Sequence, residues 1–200
     1  MRLRPVQMDD AAFIVWLRNL DHAKGKLGDS ATDVASQQAW LEAYFQREGD
    51  YYFIVETMSG IPVGTHSLYD IANGSAELGR WIIRPGVQAA VPSHMVAFDI
   101  AFRQLGLKEM RNVTVATNRP VISISRKFGF KQIRVEVAGR VIGGKPVDMV
   151  HFILTAQDWA NTRESLVATA EVAERLVGDW ERDQRVSNAG ADSATTSKII

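Results

Sequence analysis

The sequence predicts an α/β chain (mixed α+β) built on a mixed sheet of about seven strands. Three observations carry this. Segments rich in aromatic and β-branched residues recur between Gly, Pro and Asn turns, as strands do. Other segments repeat apolar residues at helical spacing. One such helix separates the strand before Pro85 from the strand at Asn112, and a strand–helix–strand link makes its two strands parallel.

In chain order, Met1–Val6 alternates and forms a first strand. Asp9 or Asp10 caps a helix through Leu20, because a short carboxylate accepts the free N–H groups of a first turn. Phe13, Trp16, Leu17 and Leu20 supply its apolar stripe. Asp21–Ala35 is a polar loop, and Ser36 caps a second helix to about Arg47 with Trp40, Ala43 and Tyr44 on one face. A meander follows over Tyr51–Thr57, Val63–Tyr69 and Ala76–Ile83. Turns at Ser59–Pro62 and Asn73-Gly74 separate these strands, and Pro85-Gly86 ends the last. A helix runs from Pro92 or Ser93 to Leu105, with proline where the first helical N–H needs no partner. Asn112–Ala116 is a short strand, and Pro120 opens a helix that ends at Gly129. Lys131–Ala138 and Val147–Thr155 pair last, joined through Gly139, Gly143 and Gly144.

From Gln157 to about Arg185 the pattern is a long amphipathic helix. Leu166, Ala170, Ala173, Leu176, Val177 and Trp180 mark its apolar face, which packs on its own domain or on a second subunit. Ser187–Ile200 is small and polar and is expected to be disordered. The chain thus divides into a domain over 1–160, an added helix over 161–186 and a tail over 187–200.

Composition narrows the function. At 200 residues and 46% hydrophobic, one domain with an ordinary core is expected. No cysteine is present, which excludes a disulfide framework, a Cys-ligated zinc and a thiol nucleophile. The 23 Lys and Arg balance 23 Asp and Glu, against the basic excess that nucleic-acid binding needs. The densest apolar run, Ala11–Leu17, is far short of the ~20 residues of a spanning helix. Met1–Asp10 lacks the apolar segment of a signal peptide, so a cytoplasmic location is expected, with no membrane partner.

No P-loop, dinucleotide fingerprint, HExxH or GxSxG motif is present. The one candidate phosphate cradle is the strand-to-helix crossover Arg84–Ser93, where the N–H groups of a helix start can hold an anion.

An ordered set of segments carries a resemblance. It comprises Leu3-Arg4-Pro5, Trp16-Leu17-Arg18-Asn19, Trp40-Leu41, Val63-Gly64, and Ala76-Glu77-Leu78-Gly79-Arg80-Trp81-Ile82-Ile83-Arg84-Pro85. Ala101-Phe102, Leu105-Gly106-Leu107, Asn118, Lys127-Phe128-Gly129-Phe130 and Phe152-Ile153-Leu154-Thr155 with Trp159 complete it. In order and spacing this set resembles the GNAT acetyltransferase superfamily over residues 1 to about 160. It is most similar to the branch typified by ribosomal-protein N-terminal acetyltransferases. The resemblance implies helices on both faces of the sheet and two central parallel strands splayed around coenzyme A. It implies transfer of acetyl from acetyl-CoA, as co-substrate, to a primary amine, without a metal. It places the pantetheine along Trp81, Ile82 and Ile83, the diphosphate at Gln88, Ala89, Ala90, Val91 and Ser93, and the coenzyme arm against Asn118.

Two positions depart from the family. Its diphosphate loop carries two glycines where Gln88-Ala89-Ala90-Val91-Pro92-Ser93 has none, so Val91 and Pro92 crowd the loop and Pro92 removes a donor. The tyrosine that many relatives place near the thiol is Ser125 here, a poor proton donor that can order a water. The chemistry itself needs a base for the acceptor ammonium. Glu77 and His66 are the candidates, and Glu77 shares a face with Gly79, Trp81 and Ile83 by alternation. Arg18, Asn19 and His22, at the end of the first helix, and Trp40 are candidate acceptor contacts.

The segment Gly79–Gly86 is also similar to acetyltransferases of amino-sugar and surface-polysaccharide pathways. That puts a nucleotide-linked amino sugar ahead of a protein N-terminus or another small amine. A non-catalytic binding module of the same fold is the reading from another class, and a homodimer is an open alternative for the C-terminal helix.

Overall fold

The structure, a computed structural model, describes residues 1–21, 23 and 31–196, with side chains to residue 185. The elements are β1 (Arg2–Pro5), a 3-10 turn (Met8–Asp10), α1 (Ala11–Arg18), α2 (Val34–Tyr44), β2 (Tyr51–Glu56), β3 (Pro62–Ala72) and β4 (Ser75–Ile83). There follow α3 (Ala90–Asp99) with a π-helical turn (Ile100–Gln104), β5 (Glu109–Val115), α4 (Arg119–Lys127), β6 (Lys131–Ile142), β7 (Lys145–Thr155) and α5 (Ala156–Thr196). The strands form one sheet in the order β1-β2-β3-β4-β5-β7-β6. Every neighbouring pair is antiparallel except β4 with β5, which is parallel as expected from the helix between them.

Local chemistry explains most boundaries. Asn73 and Gly74 both take positive φ (52° and 77°), the two-residue turn that matches strand twist, and Gly143 and Gly144 (57° and 74°) repeat it between β6 and β7. The last pair is therefore longer than expected, and Gly139 lies inside β6 rather than in the connection. Three caps differ from expectation. Asp10 does not cap α1; its carboxylate receives the Gln7 N–H at 2.7 Å and two Arg4 guanidinium bonds at 2.7 Å, because a cation offers more than a lone amide does. Asp33, not Ser36, caps α2, accepting the Ser36 N–H at 2.8 Å. Pro92 is the third residue of α3 rather than its first.

Helices cover both faces. α1 and α2 pack Ile14, Leu41 and Tyr44 on Tyr52 and Ile54 of β2. On the opposite face the main core joins Leu68, Leu78, Phe98, Met110, Phe128, Phe152 and Trp159, closed by Leu166 of α5. Further along α5, Val177 and Trp180 cover Val55, Val63, Val87 and Ala89. Leu176, expected on that apolar face, is 47% exposed instead. The helical backbone also runs on to Thr196, past the expected end near 185; no proline interrupts Ser187–Thr196, and 197–200 lie outside the described residues. Among the described residues no helix is long and apolar enough to cross a membrane.

Candidate active site

The site begins at an irregularity in β4. Thr65 pairs with Ile82 and Ser67 with Gly79, so two steps on β3 face three on β4. The extra residue produces a bulge at Arg80, whose φ of 46° is left-handed for a side-chain-bearing residue and disfavoured by roughly 1–2 kcal/mol. The surroundings hold it there. The Thr65 hydroxyl donates to the Arg80 carbonyl at 2.6 Å, and the guanidinium takes two bonds to Asp50 at 2.5 and 2.9 Å. That guanidinium also lies 4.6 Å from the Tyr69 ring centre, 5.2 Å from Trp40 and 5.4 Å from Tyr52. Burial alone would lower the Arg80 pKa; the Asp50 bonds outweigh it and keep the cation charged.

The bulge corrects the expectation that Glu77, Gly79, Trp81 and Ile83 share a face. Glu77 accepts the Tyr69 hydroxyl at 2.7 Å, and a Cβ on Gly79 would stand 2.7 Å from the same ring, so both face α1 and α2. Trp81, beyond the bulge, is turned over against His94 of α3, with ring centres 4.3 Å apart. One inserted residue reverses the alternation.

The parallel ladder of β4 and β5 ends at Leu78–Asn112, and the strands then diverge. The gap is a cleft of about 100 Å³ lined by Leu78–Trp81, His94, Asn112–Thr114, Asn118, Val121, Ile124 and Ser125. Its polar wall is hydrogen-bonded within itself. Asn112 Nδ2 donates to Ser125 Oγ at 3.0 Å, and Asn118 Nδ2 to Thr114 Oγ1 at 3.2 Å. With Ser125 Oγ accepting, its own proton is left to point into the cleft. Trp81 Nε1 is buried without a hydrogen-bond partner. An indole N–H in that position is a donor waiting for an acceptor.

His66 and His94 lie on the α3 face, ring centres 5.0 Å apart. His66 is fully buried, both ring nitrogens lack partners, and it does not line the cleft; His94, unremarkable in sequence, does. Burial, then the neighbouring His94, pushes His66 well below the ordinary imidazole range. Burial lowers His94 to about 4, partly offset by its bond to the Ala90 carbonyl. The two base candidates thus stand on opposite faces of the sheet.

The crossover before α3 is partly sealed. Gln88 is exposed and Ala90 and Val91 are half-buried. Ala89 and Ser93 are fully buried, and the Ser93 hydroxyl bonds the Ala90 carbonyl at 3.2 Å. Ile82 is buried and pairs with Thr65, and Ile83 packs beside Gly64, where any Cβ would meet the Ile82 carbonyl at 2.5 Å. Arg84, just beyond, sits between Trp16 at 5.3 Å and Trp180 at 5.2 Å, tying α5 to α1.

On the α1/α2 side, Arg18, Ala31, Gln37, Trp40, Arg47, Tyr52 and Arg80 enclose a second cavity of about 300 Å³. Trp40 is stacked on Tyr44 at 5.5 Å and carries the Arg47 guanidinium at 5.0 Å. The expected contacts Arg18 and Trp40 are both here; His22 lies outside the described residues. Asn19, also expected here, spends its amide on the Val15 carbonyl at 2.8 Å. Residues that the sequence left unmarked, Arg47, Gln37, Arg80, Asn112 and Thr114, complete the two cavities. Asn112 and Thr114 had one signal, polar residues spaced two apart in a strand.

A sequence model of the Acetyltransferase (GNAT) domain family matches residues 1–131. A variant of the spermidine N-acetyltransferase SpeG from Vibrio cholerae superposes with TM-score 0.70 at 20% identity, over 80% of this chain and 98% of that one. A GCN5-related N-acetyltransferase from Brucella melitensis gives 0.72 at 20%, over 84% and 80%. Apo FdhC, described as a nucleotide-linked sugar GNAT, gives 0.67 at 28%, over 82% and 90%. No curated protein matches in a sequence search.

Proposed function

The chain belongs to the GNAT acetyltransferase family, and on that premise we propose that its acceptor is the amine of a nucleotide-linked amino sugar. The observation that carries this is the cavity beside the β4 bulge. Three arginines, Arg18, Arg47 and Arg80, line it with Gln37 and two aromatic rings; among the described residues the carboxylate paired with them, Asp50, holds the Arg80 fork and lies 3.7 Å from Arg47, so three cations stand against that one anion. Arg80, whose fork Asp50 occupies, adds positive charge only; the Arg18 and Arg47 guanidinium groups suit a diphosphate, and Trp40 and Tyr52 suit a flat base or sugar face. A polyamine, the substrate in the name of the Vibrio relative, is a cation that such a wall repels. FdhC, at 28% identity, lends the sugar reading further support. A peptide N-terminus of the ribosomal-protein kind carries the same ammonium but no diphosphate for these guanidinium groups to hold.

When bound, acetyl-CoA supplies an acetyl group activated as a thioester. The cleft fits that end: Trp81 Nε1 offers a buried, unpartnered donor, and Asn112, Asn118 and Ser125 form a polar wall. At the loop, Gln88, Ala90 and Val91 are the residues left at the surface for the diphosphate, since Ala89 and Ser93 are buried. Ser125, fixed by Asn112, can offer its hydroxyl as a hydrogen-bond donor to the departing thiolate or to a water beside it, without giving up its proton. Glu77 is the base we assign. It lines neither cavity but stands on the acceptor face of the sheet, joined through Tyr69 to Arg80, so an ammonium proton would reach its carboxylate through bridging water. We assign 1–160 as the catalytic unit and 161–186 as a brace packed along α3.

The test is an amine screen with acetyl-CoA, measuring free thiol release. Nucleotide-linked amino sugars are expected to turn over, with KM raised about tenfold or more in Arg47→Ala. Turnover of spermidine with none of any anionic acceptor overturns the proposal.

A further inference from the structure

β6 is the free edge of the sheet, and it is bare. Of its 12 residues none is buried, and Ile133, Val135 and Val137 are 58%, 49% and 79% exposed. Long edge strands with exposed β-branched residues pair with other chains unless guarded. The two faces of this edge differ. Arg134 and Glu136 meet each other at 3.3 Å and both reach His151, at 3.4 and 2.8 Å, so they share one face. Val135 lies opposite Val150, whose side chain joins the main core, so it occupies the other face.

We propose that a second copy of this chain docks on β6, edge to edge and antiparallel, about a two-fold axis at Val135. The segment Ile133-Arg134-Val135-Glu136-Val137 is complementary to itself when reversed. With Val135 opposite Val135 of the second copy, Arg134 of each chain faces Glu136 of the other. Opposite charges directly across strands attract, and like charges repel. Sliding the pairing by one residue on each strand keeps the two-fold but sets Arg134 against Arg134 or Glu136 against Glu136. A half-step slip sets charged residues against valines. The charge pattern therefore selects one register, and the same patch serves both partners, as a closed two-fold dimer requires. Regular pairing with β7 spans Arg134–Glu136, bounded by irregularities at Gln132–Arg134 and Glu136–Arg140, so these three positions set the register.

Sedimentation equilibrium over about a hundredfold range of protein concentration tests the proposal. Wild-type protein is expected to reach twice the 22.2 kDa chain mass. Arg134→Glu and Glu136→Arg are each expected to remain at the single-chain mass, since either puts like charges face to face. An equimolar mixture of the two variants is expected to dimerise again. One variant carries only acidic side chains at positions 134 and 136 and the other only basic ones, so both cross-strand pairs join opposite charges. Hydrogen exchange on the wild type supplies an arm free of mutations: amides of 133–137 should slow as concentration rises. A wild type that stays monomeric, a single variant that stays dimeric, or a mixture that stays monomeric overturns the proposal.

Discussion

Replacing His94 with phenylalanine should remove much of the acid sensitivity of this fold. The ring is 3% exposed, stacked on Phe128 at 4.8 Å and edge-on to Trp81 and Phe98 at 4.3 and 5.3 Å. A charged imidazolium is unfavourable among these rings, and burial lowers the pKa to about 4. In the unfolded chain the ordinary value of about 6.5 returns. Between these values the unfolded state binds the extra proton, so stability is lost as pH falls from 6.5 to 4. At 1.36 kcal/mol per pH unit the loss is about 3 kcal/mol. His66, lowered by burial and by His94, adds loss in the same direction. Phenylalanine fits a site already walled by aromatic rings and forfeits only the bond to the Ala90 carbonyl, about 1 kcal/mol at neutral pH. Urea unfolding at steps between pH 7 and pH 4 gives the two stability curves. The wild type should fall about 3 kcal/mol further than His94→Phe across that window. Parallel curves would refute the reasoning, because they would mean that His94 takes up its proton as readily in the folded chain as in the unfolded one.

Two further substitutions probe the acceptor side. Glu77→Gln keeps a partner for the Tyr69 hydroxyl but takes no proton; kcat at neutral pH should drop about a hundredfold while calorimetric acetyl-CoA affinity is unchanged, and unaltered kcat removes Glu77 from the mechanism. In Gly79→Ala the new methyl displaces the Tyr69 ring, breaking its bond to Glu77 and its contact with Arg80. The melting temperature should fall by an amount corresponding to about 1–3 kcal/mol, and a melting curve equal to wild type would show that the ring has room to yield.

The two cavities draw on different parts of the chain, and the sequence marked the lining of one better than that of the other. Asn118, Ser125 and Trp81 were legible because they keep their order and spacing with Gly129-Phe130 and Pro85, and the structure gathers all three in the β4/β5 cleft. Arg47, Arg80 and Arg18 were not legible as a group. They come from two helix ends and a strand, and only the packing of α1 and α2 on β2 brings them together.

By itself the sequence determined the strands, their turns and the parallel pair. Those follow from interactions within a few residues: Asn73-Gly74 sets a hairpin, alternation sets a strand, and a helix between two strands forces a crossover. The tertiary structure alone decided which face each β4 residue shows. The extra residue at Arg80 is defined only against β3, and Asp50, Thr65 and Tyr69, distant along the chain, hold its left-handed backbone. It decided too that Ala89 and Ser93 are buried, Ala89 beneath Val177 and Trp180 of α5, a cover no local pattern in the loop announces. Short-range geometry is written residue by residue, whereas a face, a bulge or a cover exists only between segments that folding brings into contact.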